Sequence, residues 1–455
     1  MTITYQAALV AHRFGLGPRP GELQAIAADP VHWLKAQLAP DIVTPASLAG
    51  LPRTTDVGAE LEELRDAKKA GDPVERLKAV VQPHYQRFVA ARYRAATETT
   101  QPFRERLVHF WSNHFAISAD KKFLAAMVGP FEQEAIRPHV TGHFADLLRS
   151  AVSHPAMVLY LDNQVSVGPH SVLARRAKQF RDRDLGLNEN LAREILELHT
   201  LGVGGGYSQT DVTSFARVLT GWSVGGGAGP RRQGTPGAFL FRENAHEPGT
   251  ATVLGNAYDQ EGQAQPQAVL TDLARHPSTA TFLARKLARH FLADDPPDDL
   301  VATLAKRYRE TDGHLPSVYG ALIDDERLQT THPSKLKTPH EFAIACMRAF
   351  DFVPQRPQAL SGGLKLMGQP VYTPGSPAGW PDVAAPWSGA DALLKRVEWA
   401  QQVARHVAPG HPPDVLVEQS LGPLADDPLR FAVSRAESAV QALTLSMASP
   451  AFLRR

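Results

Sequence analysis

The stretch NENLAREILELHT, Asn188–Thr200, decides how this chain is read. Wound at 3.6 residues per turn, it places Leu191, Ala192, Ile195, Leu196 and Leu198 along one side, with His199 in the middle of that apolar face. Glu189, Asn190, Arg193, Glu194 and Glu197 fall on the opposite arc. An apolar stripe of this width belongs to a helix packed against other helices. The same signature recurs on both sides of it. Upstream, RERLVHFWSNHFAIS (104–118) lines up Leu107, Val108, Trp111 and Phe115, with His114 at the edge of the stripe. Downstream, Gly202 stops the central helix, Ser208 to Asp211 offer an N-cap, and VTSFARVLTGW aligns Val212, Phe215, Ala216, Leu219 and Trp222.

Beyond residue 260 the pattern stays helical through PSTATFLARKLARHFLA, TPHEFAIACMRAF and the C-terminal RFAVSRAESAVQALTLSMASPAFL, with Pro277 and Pro333 read as first-turn prolines. The expectation is an all-α chain, a large multi-helical single domain with at most one small β-hairpin. That hairpin would pair AFLFR with TATVLG and present His246 and Glu247 at its tip. Helices at 1–40 lead through a Pro/Thr/Ala-rich connecting loop at 41–60 into a helical core domain at 61–455. The core carries a loop and hairpin insertion at 224–258 and an aromatic, Pro/Gly-punctuated loop at 366–387. Further expectations are a helix over Glu60–Ala70, a basic run (Arg175, Arg176, Lys178, Arg181, Arg183) and a Gly/Pro-rich loop at 224–237.

Composition narrows the function classes. With 48 Lys+Arg against 47 Asp+Glu the net charge is +1, so no global field recruits nucleic acid or an anionic membrane. The single cysteine, Cys346, excludes an internal disulfide and a thiolate metal cluster, and its apolar helical setting reads as an inert buried thiol. No apolar run reaches the ~20 residues of a bilayer span, and no secretory signal opens the sequence. The compartment expected from this is cytoplasmic.

Several motifs compete with plainer explanations. GWSVG (221–225) has the letters of a nucleophile elbow, but a helix precedes it where the elbow needs a strand. His340-Glu341 lacks the second histidine of a zinc-binding helix, since Ile344 occupies that place. On a regular helix Glu194 and His199 point away from each other and cannot share one ion, so the metal status stays unknown. Glu189, Arg193 and Glu197 at i, i+4, i+8 make a surface ion-pair ladder. Their crowding with Asn190 and Glu194 is what suggests a site, because neighbouring carboxylates raise one another's pKa. Trp380 and Trp387 suit a platform for a sugar or peptide, or a loop anchored by its own tryptophans. Lys335, Lys337, His340 and Glu341 form a further polar cluster, or simply a solvated helix start.

Strings along the whole chain resemble one bacterial family. RFGLGPRPGE, LVHFWSNHF, LNENLAREILELHTLGVGGGYSQTDV, HEPG followed by TVLG, GQPVY with GWPD, and SPAFLRR are similar to the family catalogued as "domain of unknown function 1800", from about residue 8 onward. The family carries no established activity. The resemblance implies recurrent polar positions at Asn113, His114, Asp162, Asn163, Asn188, Glu189, Asn190, Arg193, Glu194, Glu197, His199, Asp211, Trp222, His246, Trp380 and Asp382. It also implies a neighbour from a sulfatase-like, twin-arginine-exported family ("domain of unknown function 1501"). Co-export to the periplasm with that partner is the alternative compartment.

The site expected from the sequence is an acidic-polar pocket. Its walls are the Asn188–His199 segment, Trp111 to His114, Asp162 and Asn163, the His246 tip and the Trp380 loop with Asp382; Glu189, Asp211 and Trp222 join the binding set. The expected chemistry is hydrolysis of a polar polymer such as a glycan. Glu194 or Glu197 acts as acid/base, His199 lies beside them, and Arg193 orients an anionic group. The rival is a non-catalytic binding or assembly partner of the sulfatase-like neighbour.

Overall fold

The computed structural model of the protein describes residues 2–40, 44–66, 72–182, 184–227 and 233–455. Parts of four sequence expectations lie outside them: the 41–60 loop at 41–43, the Glu60–Ala70 helix beyond 66, the basic run at Arg183, and the 224–237 loop at 228–232. Among the described residues the regular elements are helices, apart from two antiparallel pairs of three-residue strands. None of these helices is long and apolar enough to cross a membrane.

Prolines open several of the helices, because a first-turn residue has no use for the N–H that proline lacks: Pro73–Glu98, Pro102–His114, Pro277–Phe291 and Pro339–Ala349. The His-Pro pairs have a specific use. At His154 and His276 the backbone is extended (φ −64° at both) and ring Nδ1 accepts the amide two residues on, so each histidine serves as the helix N-cap. His332-Pro333 starts nothing, and the next helix begins at Pro339.

The central stretch departs from the regular helix expected of it. Asn190–Glu194 is α-helical, but Ile195–Thr200 is a π-turn. Leu201 N–H reaches back five residues to the Leu196 oxygen at 2.9 Å, and the Thr200 hydroxyl donates to the Ile195 oxygen at 2.7 Å. A side-chain hydroxyl that occupies a ladder carbonyl is one way a turn widens by a residue. The wider turn keeps His199 and Thr200 fully buried.

The strand pairing also differs from expectation. Trp222–Val224 (β1) pairs with Phe239–Phe241 (β2), and Ala251–Val253 (β3) pairs with Asn256–Tyr258 (β4) across a tight turn at Leu254-Gly255. The two runs expected to form one hairpin thus belong to two sheets, because each finds a closer partner. Ser223 sits mid-strand opposite Leu240, buried, so GWSVG is no nucleophile elbow.

One apolar cluster runs from Ile3 to Phe452, so the helices of 1–40 share the core of the rest. The Thr54–Asp66 helix begins inside the stretch read as connecting loop. Cys346 is buried and its thiol is pushed up by that burial, in keeping with inertness. Buried arginines tie the first segment down. Arg13 donates to the carbonyls of Leu328 (2.8 Å) and Thr331 (2.9 Å). Arg348, with no exposed surface, donates to the carbonyls of Gly17, Ala96 and Thr97 and pairs with Glu22 at 2.8 Å. Replacing one partner of a buried pair strands the other. Arg348→Ala should therefore destabilise by roughly 3–5 kcal/mol, read as a fall in thermal midpoint against Arg348→Lys and the parent chain.

Candidate functional site

Residues 366–387 form a wall, held at both ends by polar contacts. At its near end Tyr85 donates to the Val371 carbonyl (2.8 Å) and Ala119 N–H to that of Tyr372 (2.8 Å). In the middle, Asn113 grips the backbone of Trp380. Its Oδ1 accepts from Trp380 N–H at 2.7 Å and its Nδ2 donates to the Trp380 carbonyl at 2.9 Å. Gly379 makes this approach feasible. Its φ of +78° suits glycine, and a Cβ there would collide with the Asn113 carbonyl oxygen. At the far end Asp382 faces His290 Nδ1 (2.6 Å), Lys335 Nζ (3.3 Å) and Arg455 (3.3 Å).

Between this wall, the Pro102–His114 and Pro277–Phe291 helices and the start of Pro339–Ala349 lies a cleft of about 500 Å³. Its carboxylates are committed. Glu341 is bonded to Arg106 and lies 2.9 Å from Arg455 Nε. Burial opposes its charge, but Arg455 and Arg106 more than offset that and bring its pKa down to about 2. Asp382, likewise opposed by burial, is held far below the carboxylate range by His290, Arg455 and Lys335. Deeper in, Glu132 takes both oxygens to Arg92 (2.9 and 3.1 Å), and Glu105 takes both to Arg137 (2.6 and 2.7 Å).

The imidazoles of the cleft are neutral. Burial lowers the pKa of His109, His114 and His340, and brings His290 to about 4. His340 connects Tyr93 (2.5 Å) to His109 (3.3 Å). Two cations remain without a carboxylate within ion-pair distance among the described residues. Lys286 approaches His114 Nδ1 at 2.9 Å, and Arg289 spends its Nε on the Asp294 carbonyl at 2.9 Å. Three apart on one helix, they share a face and both line the cleft. Burial pulls Lys286 down to about 8, with Asp382 opposing and Arg289 adding to the shift.

Of the residues singled out in the sequence, the structure brings Asn113, His114, Trp380 and Asp382 to this cleft. His199 stands behind it. Its carbonyl accepts from His114 Nε2 at 3.1 Å, its ring is 5.9 Å from that of His114, and neither of its ring nitrogens has a hydrogen-bond partner among the described residues. Burial brings its pKa down to about 3. Trp111 belongs to the core, where its Nε1–H donates to Tyr319 at 2.6 Å.

The polar arc of the central stretch is elsewhere. Glu189 accepts from Gln209 (2.8 Å) and Thr213 (2.6 Å) and pairs with Arg193 (3.1 Å), binding two successive helices at a surface that is partly open to solvent. Asn190 is exposed, Glu197 accepts from Tyr207 at 3.4 Å, and Glu194 makes no ion pair among the described residues. Asn188 and Asn163 bind main-chain carbonyls, of Asp162 (3.1 Å) and Leu219 (3.0 Å), and Asp162 pairs with Lys121 (2.7 Å). Asp211 closes a capping box with Ser208 and holds the β3–β4 turn through Leu254 N–H at 2.7 Å. Trp222 is buried, and His246 lies 3.0 Å from the Thr220 carbonyl, not at a hairpin tip. The single acidic pocket expected from the sequence is therefore not assembled. Its acidic members other than Glu194 have partners nearer at hand.

Lys286, Arg289, His290, Arg106 and Arg455 escaped the sequence reading. The available signal was a run of basic residues at the edge of the apolar stripe in Pro277–Phe291, where an ordinary surface helix would mix both signs. Lys335, Lys337 and Glu341, read also as a solvated helix start, are buried, Lys335 and Glu341 in the ion network and Lys337 against His12 and the carbonyls of Phe452 and Arg454.

A family model described as "Protein of unknown function (DUF1800)" matches residues 9–454, and the chain belongs to that family. No curated protein and no solved structure matches it. The ion network carries a pH signature. The folded pKa of Glu341 lies below its ordinary 4.5, so its contribution is fully present above pH 4.5 and is lost as the pH falls toward about 2. The thermal midpoint should drop across that window, and Glu341→Gln should lower it at neutral pH and flatten the drop.

Proposed function

We propose that this member of the DUF1800 family binds an acidic sugar unit, free or within a polymer, in the cleft walled by residues 366–387. The observation that carries this reading is the imbalance of charge. The carboxylates of the cleft are consumed by arginine, lysine and histidine, whereas Lys286 and Arg289 stand on one face without a carboxylate. An anion placed between them gains charge-assisted hydrogen bonds in a setting that water screens poorly. Trp380 lines the same cleft, partly exposed and with its backbone fixed by Asn113, and offers a flat apolar face to a ring. Convergence of several separate segments on one concave site is how ligand sites are usually built.

Hydrolysis of the bound polymer is a second reading, supported by one observation. Glu194 is half-buried, and its pKa is raised first by burial and then by Glu197, which is the property a general acid needs. It does not line the cleft, so this reading places bond cleavage on a polymer that extends past the binding site.

Titration of the full chain with uronate-containing and neutral oligosaccharides of equal length tests the first reading. Acidic ligands should bind more tightly and weaken with salt. Lys286→Met and Arg289→Met should each cost about tenfold to a hundredfold in affinity, the worth of one charge-assisted hydrogen bond. Equal binding of neutral ligands, or unchanged affinity in both variants, overturns it.

A further inference from the structure

Lys286 is equipped for more than charge. His114 Nε2 faces the carbonyl oxygen of His199, which only accepts, so the ring carries its proton on Nε2 and leaves a lone pair on Nδ1. Lys286 Nζ, 2.9 Å from that Nδ1, is therefore the donor of the pair. One N–H of the amine is spoken for by a neutral base, and the rest of the nitrogen belongs to the cleft that Lys286 lines. Arg289, the next residue on the same face, presents a guanidinium to the same space with only its Nε engaged among the described residues. A primary amine, an adjacent neutral imidazole and a fixed cation one turn away are the parts needed to hold a carbonyl beside a carboxylate.

We propose that Lys286 forms an imine with a 2-oxo carboxylate, of the class of keto sugar acids, whose carboxylate is held by Arg289. This rests on the cleft's being the ligand site and names the reactive class within it. The neutral amine adds its lone pair to the carbonyl carbon, and the carbonyl π pair moves to oxygen. A proton from Nζ passes to His114 Nδ1 and returns on the carbinolamine oxygen. The nitrogen lone pair then expels that hydroxyl, which takes up a proton from solvent and leaves as water, so that a protonated C=N forms with no change in oxidation state. The iminium N–H that results donates to the same Nδ1.

The surroundings make the uncharged amine easier to reach than on a surface lysine. Burial brings Lys286 to about 8, Arg289 on its own helix adds to the shift, and Asp382 on the loop opposes it. The rings facing it from other segments, His114 and His199, are both neutral. The Phe282 ring centroid lies 5.5 Å from Nζ.

The full chain, incubated with pyruvate or glyoxylate and then cyanoborohydride, should acquire one reduced adduct per chain. Peptide mapping of the unaltered protein should place it on Lys286, with every other lysine labelled about tenfold less or weaker still. Arg289→Met should slow labelling by the 2-oxo acids and spare labelling by a neutral aldehyde. Adducts spread over surface lysines, or none on Lys286, overturn the proposal. If Lys286 stays unlabelled while acidic oligosaccharides still bind in a Lys286-dependent way, the imine falls and the binding reading stands. If that binding is absent as well, both fall.

Discussion

Two carboxylates, buried Glu341 and partly buried Asp382, meet three buried cations, Arg106, Arg455 and Lys335, and the rest of the cleft is arranged around that meeting. The charges come from the Pro102–His114 helix, the start of Pro339–Ala349 and the stretch just before it, the aromatic loop and Arg455, and His290 of Pro277–Phe291 joins them through Asp382. Such a cluster contributes little net stability, because each ion lost its water on burial. What it provides is register. Any segment that slides by a residue leaves a bare charge in the interior. The network thus fixes where the helices stand relative to the loop, and in doing so leaves Lys286 and Arg289 without a carboxylate in ion-pair contact among the described residues.

The helical fold was legible because its signals are local. Apolar residues at three- and four-residue spacing, the first-turn proline Pro277 and the Ser208–Asp211 cap each act within one or two turns and appear where the sequence places them, whereas Pro333 opens no helix. The exceptions depend on partners that sequence does not reveal. Thr200 converts the end of the central helix to a π-turn by taking a carbonyl that the ladder would have used. Phe239–Phe241 pairs with Trp222–Val224 rather than with the nearer-looking Ala251–Val253, since contact, not alternation, selects a strand's partner.

The site was less legible for a related reason. Sequence shows which residues are polar and cannot show whether their hydrogen bonds are already spent. Asn113, Asn163, Asn188 and Asp211 all stood out, and in the fold each one binds backbone. Asn113 shows how such a residue still matters to a ligand site, because it sets the position of Trp380. Conversely, Lys286 and Arg289 looked like ordinary helix-surface charges. Only the packing of segments nearly one hundred positions away turns that surface into an interior wall.

Those separations bear on how the protein comes into being. Arg106 and Glu341 are 235 positions apart, Arg455 and His290 are 165 apart, and Asp382 joins both halves. Contacts of this span close late, after the entropy of large loops has been spent. During synthesis the first two-thirds of the chain can form helices and bury much of its apolar surface, yet it holds Arg106 without a counter-ion. The cleft cannot form before residues 366–387, which wall it, have been made.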